Sequence, residues 1–154
     1  MEQVNHPQHY NQHPAGVECI DVIRHYTFDI GCAIKYLWRA GLKKEPGKED
    51  ADKEMEDLAK AIWYINDFLT KETSFTRTEK IPDMCRIFRK MTGYPMRRVT
   101  APYNANIARA LKCLFSVGFQ WYGAVWVSQD WQAKLRAAAA FIQKRIMEIS
   151  KESN

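Results

Sequence analysis

From Ala33 to Leu69 the chain reads AIKYLWRAGLKKEPGKEDADKEMEDLAKAIWYINDFL, and no other stretch constrains the fold as strongly. Met55, Leu58, Ile62, Ile65 and Leu69 recur at spacings of three and four, the period of an amphipathic helix and not of a strand. Ile34, Leu37, Trp38 and Leu42 draw a similar face one helix earlier, and the lysine-rich GLKKEPGKED connects the two. So short a connection predicts a helical hairpin. Antiparallel packing would bring Lys35 and Arg39 of the first helix toward a polar stripe of Lys53, Asp57, Lys60 and Tyr64 on the second, around a space the size of a phosphate.

The rest of the chain continues the helical pattern. VNHPQHYNQHPAG is rich in Pro, His and Asn and should be irregular, and a helix is expected from about Val17 to Tyr26 with Ile20 and Ile23 inward. Gly41 is placed to end the KYLWRAG helix, and the long helix should run from about Asp50 to Lys71. ETSFTRT, residues 72–78, lacks periodicity and is the best internal boundary, giving a helical unit at 1–72 and a second at 73–154 packed on the first or on another subunit. Beyond it Ile81, Met84, Cys85 and Phe88 suggest a short helix closed near Gly93, followed by the loop YPMRRVTAPYN. Two longer helices are then expected, one carrying Ile107, Leu111, Leu114, Phe115, Phe119 and Tyr122. The other carries Trp131, Leu135, Ala138, Ile142, Ile146 and Ile149, with Ser128 as a candidate N-cap. The expected class is all-α, a hairpin-based bundle of five or six helices with no sheet.

With 154 residues the chain can bury a core without staples. Its four cysteines are scattered, with no C-x-x-C pair, and Cys19, Cys85 and Cys113 read as small apolar fillers, which suits a reducing cytoplasm. No apolar run approaches a bilayer span, so a soluble protein with no membrane partner is expected. The net charge of +5 divides unevenly: residues 1–72 carry 9 Lys and Arg against 13 Asp and Glu, whereas 73–154 carry 14 against 5. The basic half suits an anionic ligand or attraction between halves, but its cations are spread over helical faces without a groove-reading motif, so nucleic acid is not the expected partner.

Several motifs invite chemistry. Gly41 to Glu49 resembles a phosphate loop but has one residue too many between its glycines, a Glu where Ser or Thr should bind magnesium, and a helix rather than a strand before it. That excludes a P-loop kinase, though Lys43, Lys44 or Lys48 could still touch phosphate as point charges. Lys35 and Arg39, four residues apart, repel one another unless an anion compensates, and either a bound phosphate or Glu56 and Asp57 across the hairpin would do so. Glu54-x-x-Asp57 would suit the magnesium site of an all-α triphosphate pyrophosphatase, but the partner helix offers Lys35 and Arg39 where carboxylates are required. His6, His9 and His13 form no regular ligand set because Pro7 interrupts them, so no metal site is expected. Trp121 and Trp126 lie off the main stripes and are the better ligand or interface candidates among the C-terminal aromatics.

HPQHY (6–10), VECIDVI (17–23), AIKYLWRAGLKK (33–44) and EDLAKAIWY (56–64), in this order, resemble a small phage-encoded domain family of unknown function whose characterised relative is a nucleotide kinase without a P-loop. The resemblance covers about residues 4–70 and departs at Cys32, where the family commonly has Asn. It implies a deoxynucleotide-binding protein of an infected bacterial cytoplasm, homo-oligomeric, transferring a phosphoryl group from a nucleoside triphosphate to a deoxynucleoside monophosphate. Arg39, Lys35 and Asp57 would be its catalytic residues. His9, Tyr10, Tyr36, Lys43 and Lys60 would bind the nucleotide; no cofactor is required by the reading, and magnesium could accompany the nucleotide. The same pocket could instead serve a sponge that sequesters a nucleotide or a nucleotide-derived signal of host defence without turnover.

Overall fold

The computed structural model describes residues 12–71, 77–79, 83–121 and 124–154. Seven helices lie among them: α1 (Cys19–Ile23), α2 (Phe28–Arg39), α3 (Asp50–Thr70), α4 (Met84–Thr92), α5 (Met96–Thr100), α6 (Ala105–Phe115) and α7 (Trp131–Glu152). Three strands, β1 (Arg77–Glu79), β2 (Val117–Trp121) and β3 (Ala124–Ser128), form one sheet in the order β1-β3-β2.

The predicted hairpin is α2 and α3. Helix α2 ends at Arg39, and Gly41 follows with φ +79°, a conformation that costs glycine little, while the Leu42 and Lys43 amides return to the Arg39 carbonyl. Helix α3 begins with Asp50 and Asp52 in its first turn, where carboxylates complement the helix dipole. Ile34, Leu37 and Trp38 of α2 and Leu58, Ala61 and Ile65 of α3 are fully buried.

The sheet overturns the expectation of a bundle without one. Phe115, Phe119 and Tyr122 follow a helical spacing, yet α6 stops at Phe115 and β2 begins two residues later. Val, Phe and Trp dominate both strands and favour a half-buried pleated surface. β2 and β3 run antiparallel with Phe119 opposite Trp126, and β1 joins β3 in parallel, Thr78 opposite Val127. Gly118 sits at the register irregularity of β2 with φ +66°. Its carbonyl accepts from the Thr27 amide at 2.7 Å, and the Gln120 amide donates to the His25 carbonyl at 2.7 Å, so the hairpin edge is sewn to the turn before α2.

The helix count also exceeds five or six. Met96–Thr100, inside the stretch expected to be a loop, turns into α5 after Pro95, which holds φ near −62° at the helix entrance. Helix α1 is shorter than expected and Ile20 faces outward, Val22 and Cys19 taking the core positions instead. Ser128 does not cap α7; it closes β3, and Asp130 occupies the N-cap. Cys85 is exposed and so no core filler, whereas Cys19 is buried.

One buried cluster runs from Val17 to Ile149 and draws on both halves of the chain. Helix α7 lies against α3, where Arg145 grips Glu54 at 2.9 Å, and the Tyr103 hydroxyl donates to the Trp38 carbonyl at 2.9 Å. These contacts fix the back of the α2–α3 hairpin against the C-terminal half.

Candidate functional site

Arg39 in the last turn of α2 faces Asp57 in the second turn and a half of α3. Its Nε and Nη2 both donate to Asp57 Oδ1, at 3.1 and 2.9 Å, and the Lys53 ammonium approaches the same oxygen at 3.4 Å. Asp57 is fully buried, Arg39 is 7% exposed and Lys53 is also buried. Three nitrogens thus converge on one carboxylate oxygen, while Oδ2, equally buried, has no hydrogen-bond partner among the described residues. Removing a charge from water is costly unless it is paired, and Asp57 is what lets two cations remain charged here.

Glu56, one residue earlier, points to the outer side and collects three lysines: Lys60 at 2.7 Å, Lys53 at 3.1 Å, and Lys48 from the connection. Hydrogen bonds from Lys48, Lys60 and Lys53 hold its carboxyl far below the usual carboxylate range. At Lys53 burial disfavours the ammonium, but Glu56 and Asp57 prevail and raise its pKa. Lys43 goes the other way: burial, then the charges of Arg39 and Lys53, lower its pKa. Within this connected set Lys35, Arg39, Lys43, Lys48, Lys53 and Lys60 outnumber Glu45, Glu56 and Asp57 by three positive charges.

An aromatic wall stands beside the cations. The Tyr36 ring has Arg39 Cζ at 4.4 Å, Lys35 Nζ at 4.9 Å and Lys60 Nζ at 5.7 Å from its centroid, and it stacks on Tyr64 at 5.8 Å. Cations over a π face are stabilised by the ring quadrupole, so Tyr36 orders three long side chains that would otherwise scatter.

Of the site residues expected from sequence, the fold brings together Lys35, Tyr36, Arg39, Lys43, Asp57 and Lys60; His9 and Tyr10 lie outside the described residues. The sequence places Lys53 on the polar stripe and Glu56 among the carboxylates that could compensate Arg39, but gives neither of them a catalytic or binding role. In the structure Glu56 takes Lys48, Lys53 and Lys60 instead, and the run Lys53, Glu56, Lys60 at spacings of three and four is the signal of that charge ladder. The Glu54-x-x-Asp57 pair splits, Glu54 turning to Arg145 of α7 and Asp57 to Arg39, so the two do not form a magnesium set. His13 is no metal ligand: its Nε2 lies 2.7 Å from the Val99 carbonyl, and its ring packs on Trp38 and Tyr103. Among the described residues no three His, Cys, Asp or Glu side chains gather to hold a metal ion. Trp126 stacks on Phe119 and joins the core as a partly buried residue rather than presenting a ligand surface.

Residues 4–66, which include the whole of α2 and the site residues of α3, match a protein family described as of unknown function, DUF3310. No curated protein and no solved structure matches the chain. No helix among the described residues is long and apolar enough to cross a membrane.

Proposed function

We propose that the polar side of the α2–α3 hairpin binds the phosphates of a nucleotide, and that the chain transfers a phosphoryl group from a nucleoside triphosphate to a deoxynucleoside monophosphate. The observation that carries this reading is the convergence of Arg39 and Lys53 on buried Asp57 with Lys43 beside them, a cluster whose cations exceed its carboxylates. The likeness of the KY-x-x-RAG-x-K and EDLxKAxxY elements to the nucleotide kinase family points the same way.

Phosphoryl transfer needs positioning and neutralisation of charge on the transferred group more than covalent help from the protein. Lys35, Lys43 and Lys60 stand at the rim and would meet the phosphate oxygens, while Tyr36 and Tyr64 offer stacked rings for a base. Asp57 acts as a positioning residue, fixing the direction of Arg39 and Lys53. Magnesium, if it takes part, arrives on the nucleotide and supplies further neutralisation of the phosphate charge.

One observation favours the second reading, a sponge without turnover. The carboxylate nearest the cations is fully buried and already paired, whereas a general base must reach the proton it removes. Incubating the full chain with deoxynucleoside monophosphates and triphosphates, with and without magnesium, separates the two. Diphosphates that Lys43→Ala and Arg39→Ala cannot make establish transfer, and unchanged nucleotide released on heating establishes sequestration. Full activity in Arg39→Ala would remove Arg39 from the site. Because that change also strands Asp57, its helical circular dichroism is measured alongside.

A further inference from the structure

Glu56 gathers three ammonium groups on one carboxylate. Lys53 and Lys60 stand two turns apart on one face of α3 with Glu56 between them, and donate to its Oε1 at 3.1 and 2.7 Å. Lys48, from the connection before α3, donates to Oε2. Glu45 of the same connection adds longer contacts, to Lys53 at 3.5 Å and to Lys48 at 3.8 Å. Like charges drawn this close repel one another unless an anion sits among them. In this structure that anion is Glu56.

The lysines and the carboxylate are not held equally. The Lys53 side chain is 3% exposed and has a second partner, Asp57 Oδ1 at 3.4 Å, which keeps it in place whatever Glu56 does. The Glu56 side chain is 31% exposed, and Lys48 and Lys60 are also open to water. An anion from solution can therefore reach the same three ammonium groups, and the carboxylate it replaces returns to solvent. Exposed ion pairs are weak, so a carboxylate in this position yields to a ligand that brings more charge.

We propose that Lys48, Lys53 and Lys60 form a subsite for a polyphosphate chain, with Glu56 as a resident competitor that the phosphates displace. The carboxylate offers one charge and two oxygens. A phosphate group brings about −1.5 to −2 charges at neutral pH and three strong acceptor oxygens, and a chain of them reaches lysines that one group cannot span. The inference deepens the nucleotide reading and rests on it for the group that carries the chain: it assigns the triphosphate of the donor to the lysines around Glu56. Arg39, Lys35 and Lys43 are left to the monophosphate. Glu56 sets the affinity of the subsite and takes no part in the transfer itself.

Calorimetric titration of inorganic tripolyphosphate, without magnesium, into the full chain and into Glu56→Gln, Glu56→Gln/Lys48→Ala and Asp52→Asn tests it. Asp52 is an exposed carboxylate in the first turn of α3 that pairs with none of these lysines among the described residues, so Asp52→Asn removes the same charge without opening the cradle. Glu56→Gln should bind tripolyphosphate about tenfold more tightly than wild type at equal helical circular dichroism, the combined worth of two or three released ion pairs. The gain should vanish in Glu56→Gln/Lys48→Ala, and Asp52→Asn should stay close to wild type. Equal or weaker binding by Glu56→Gln, an equal gain in Asp52→Asn, or a gain that survives Lys48→Ala would overturn the proposal. A nucleoside triphosphate titrated in parallel separates the two readings. Nucleotide bound by wild type with no tripolyphosphate gain in Glu56→Gln overturns the subsite alone, whereas that gain with no nucleotide bound by any variant supports the subsite and removes the nucleotide.

Discussion

Asp57 accepts Arg39 and Lys53 on one oxygen at a fully buried position, and the consequences of removing it differ from those of removing a surface charge. Asp57→Ala leaves two buried cations facing each other, a loss of about 3–5 kcal/mol. Chemical denaturation should show it as a lowered midpoint, whereas Lys48→Ala, which takes one partly exposed ligand from Glu56, should change stability by less than about 1 kcal/mol. His13 supplies the pH dependence. Its Nε2–H donates to the Val99 carbonyl and its Nδ1 accepts from the Ala15 amide, so the neutral ring satisfies both partners, while a proton on Nδ1 would oppose N–H to N–H. Burial is the main cause of its lowered pKa, and Arg98 adds to it. The folded chain therefore resists protonation that the unfolded chain accepts near 6.5. This stability is fully present above that pH and declines as pH falls through it toward the folded value. The melting-temperature difference between wild type and His13→Gln should accordingly shrink between pH 7.5 and 5; a constant difference would show that His13 does not titrate with unfolding.

At the scale of elements the two ends of the chain differ in how openly they announce themselves. The α2–α3 hairpin was legible because apolar spacing, a glycine stop and acidic first turn all agree, and its polar stripes place Lys35, Arg39, Asp57 and Lys60 together without any long-range information. The β2–β3 hairpin was misread because Phe115, Phe119 and Tyr122 happen to keep a helical period. The countersignal was present: valine and aromatic residues crowd 117–127, and only Tyr122 and Gly123 separate the strands, a spacing suited to a tight hairpin. Partnership with the His25–Thr27 turn, some ninety residues away, cannot be seen in a local window. Gly118 is the residue on which that partnership depends. A Cβ there would lie 2.7 Å from Thr27 Oγ1 and 2.8 Å from Ile30 Cγ1, at a φ that L side chains rarely adopt. Gly118→Ala should cost about 2–5 kcal/mol, the left-handed penalty plus overpacking. Gly93→Ala, at φ +83° with open space around it, should cost only about 1–2 kcal/mol, so the difference in their thermal midpoints isolates the clash.

Across the whole molecule, a single core lets the C-terminal half serve the N-terminal one. Helix α7 buries Leu135, Ala138, Ile142 and Ile149, pins Glu54 through Arg145, and so turns the polar stripe of α3 away from itself and toward α2. The charge imbalance between halves was visible in the sequence, but the division of labour within the acidic half was not: Asp57 serves the buried cations, Glu56 the rim lysines and Glu54 the packing of α7. Three carboxylates within four residues reach three different destinations because a helix turns each to a different side. The central claim is that the cations of the cluster around Asp57 and Tyr36, three more than its carboxylates, receive nucleotide phosphate. The most direct measurement is calorimetric titration of nucleoside monophosphates and triphosphates into the full chain and into Lys35→Ala/Lys43→Ala, which removes two rim cations and leaves the Arg39–Asp57 pair in place. The wild type should bind at least one nucleotide, and the double variant should bind it about 100-fold more weakly at equal helicity, each charged hydrogen bond contributing at least roughly tenfold. No heat of binding for any nucleotide, or equal affinity in the two proteins, would contradict it.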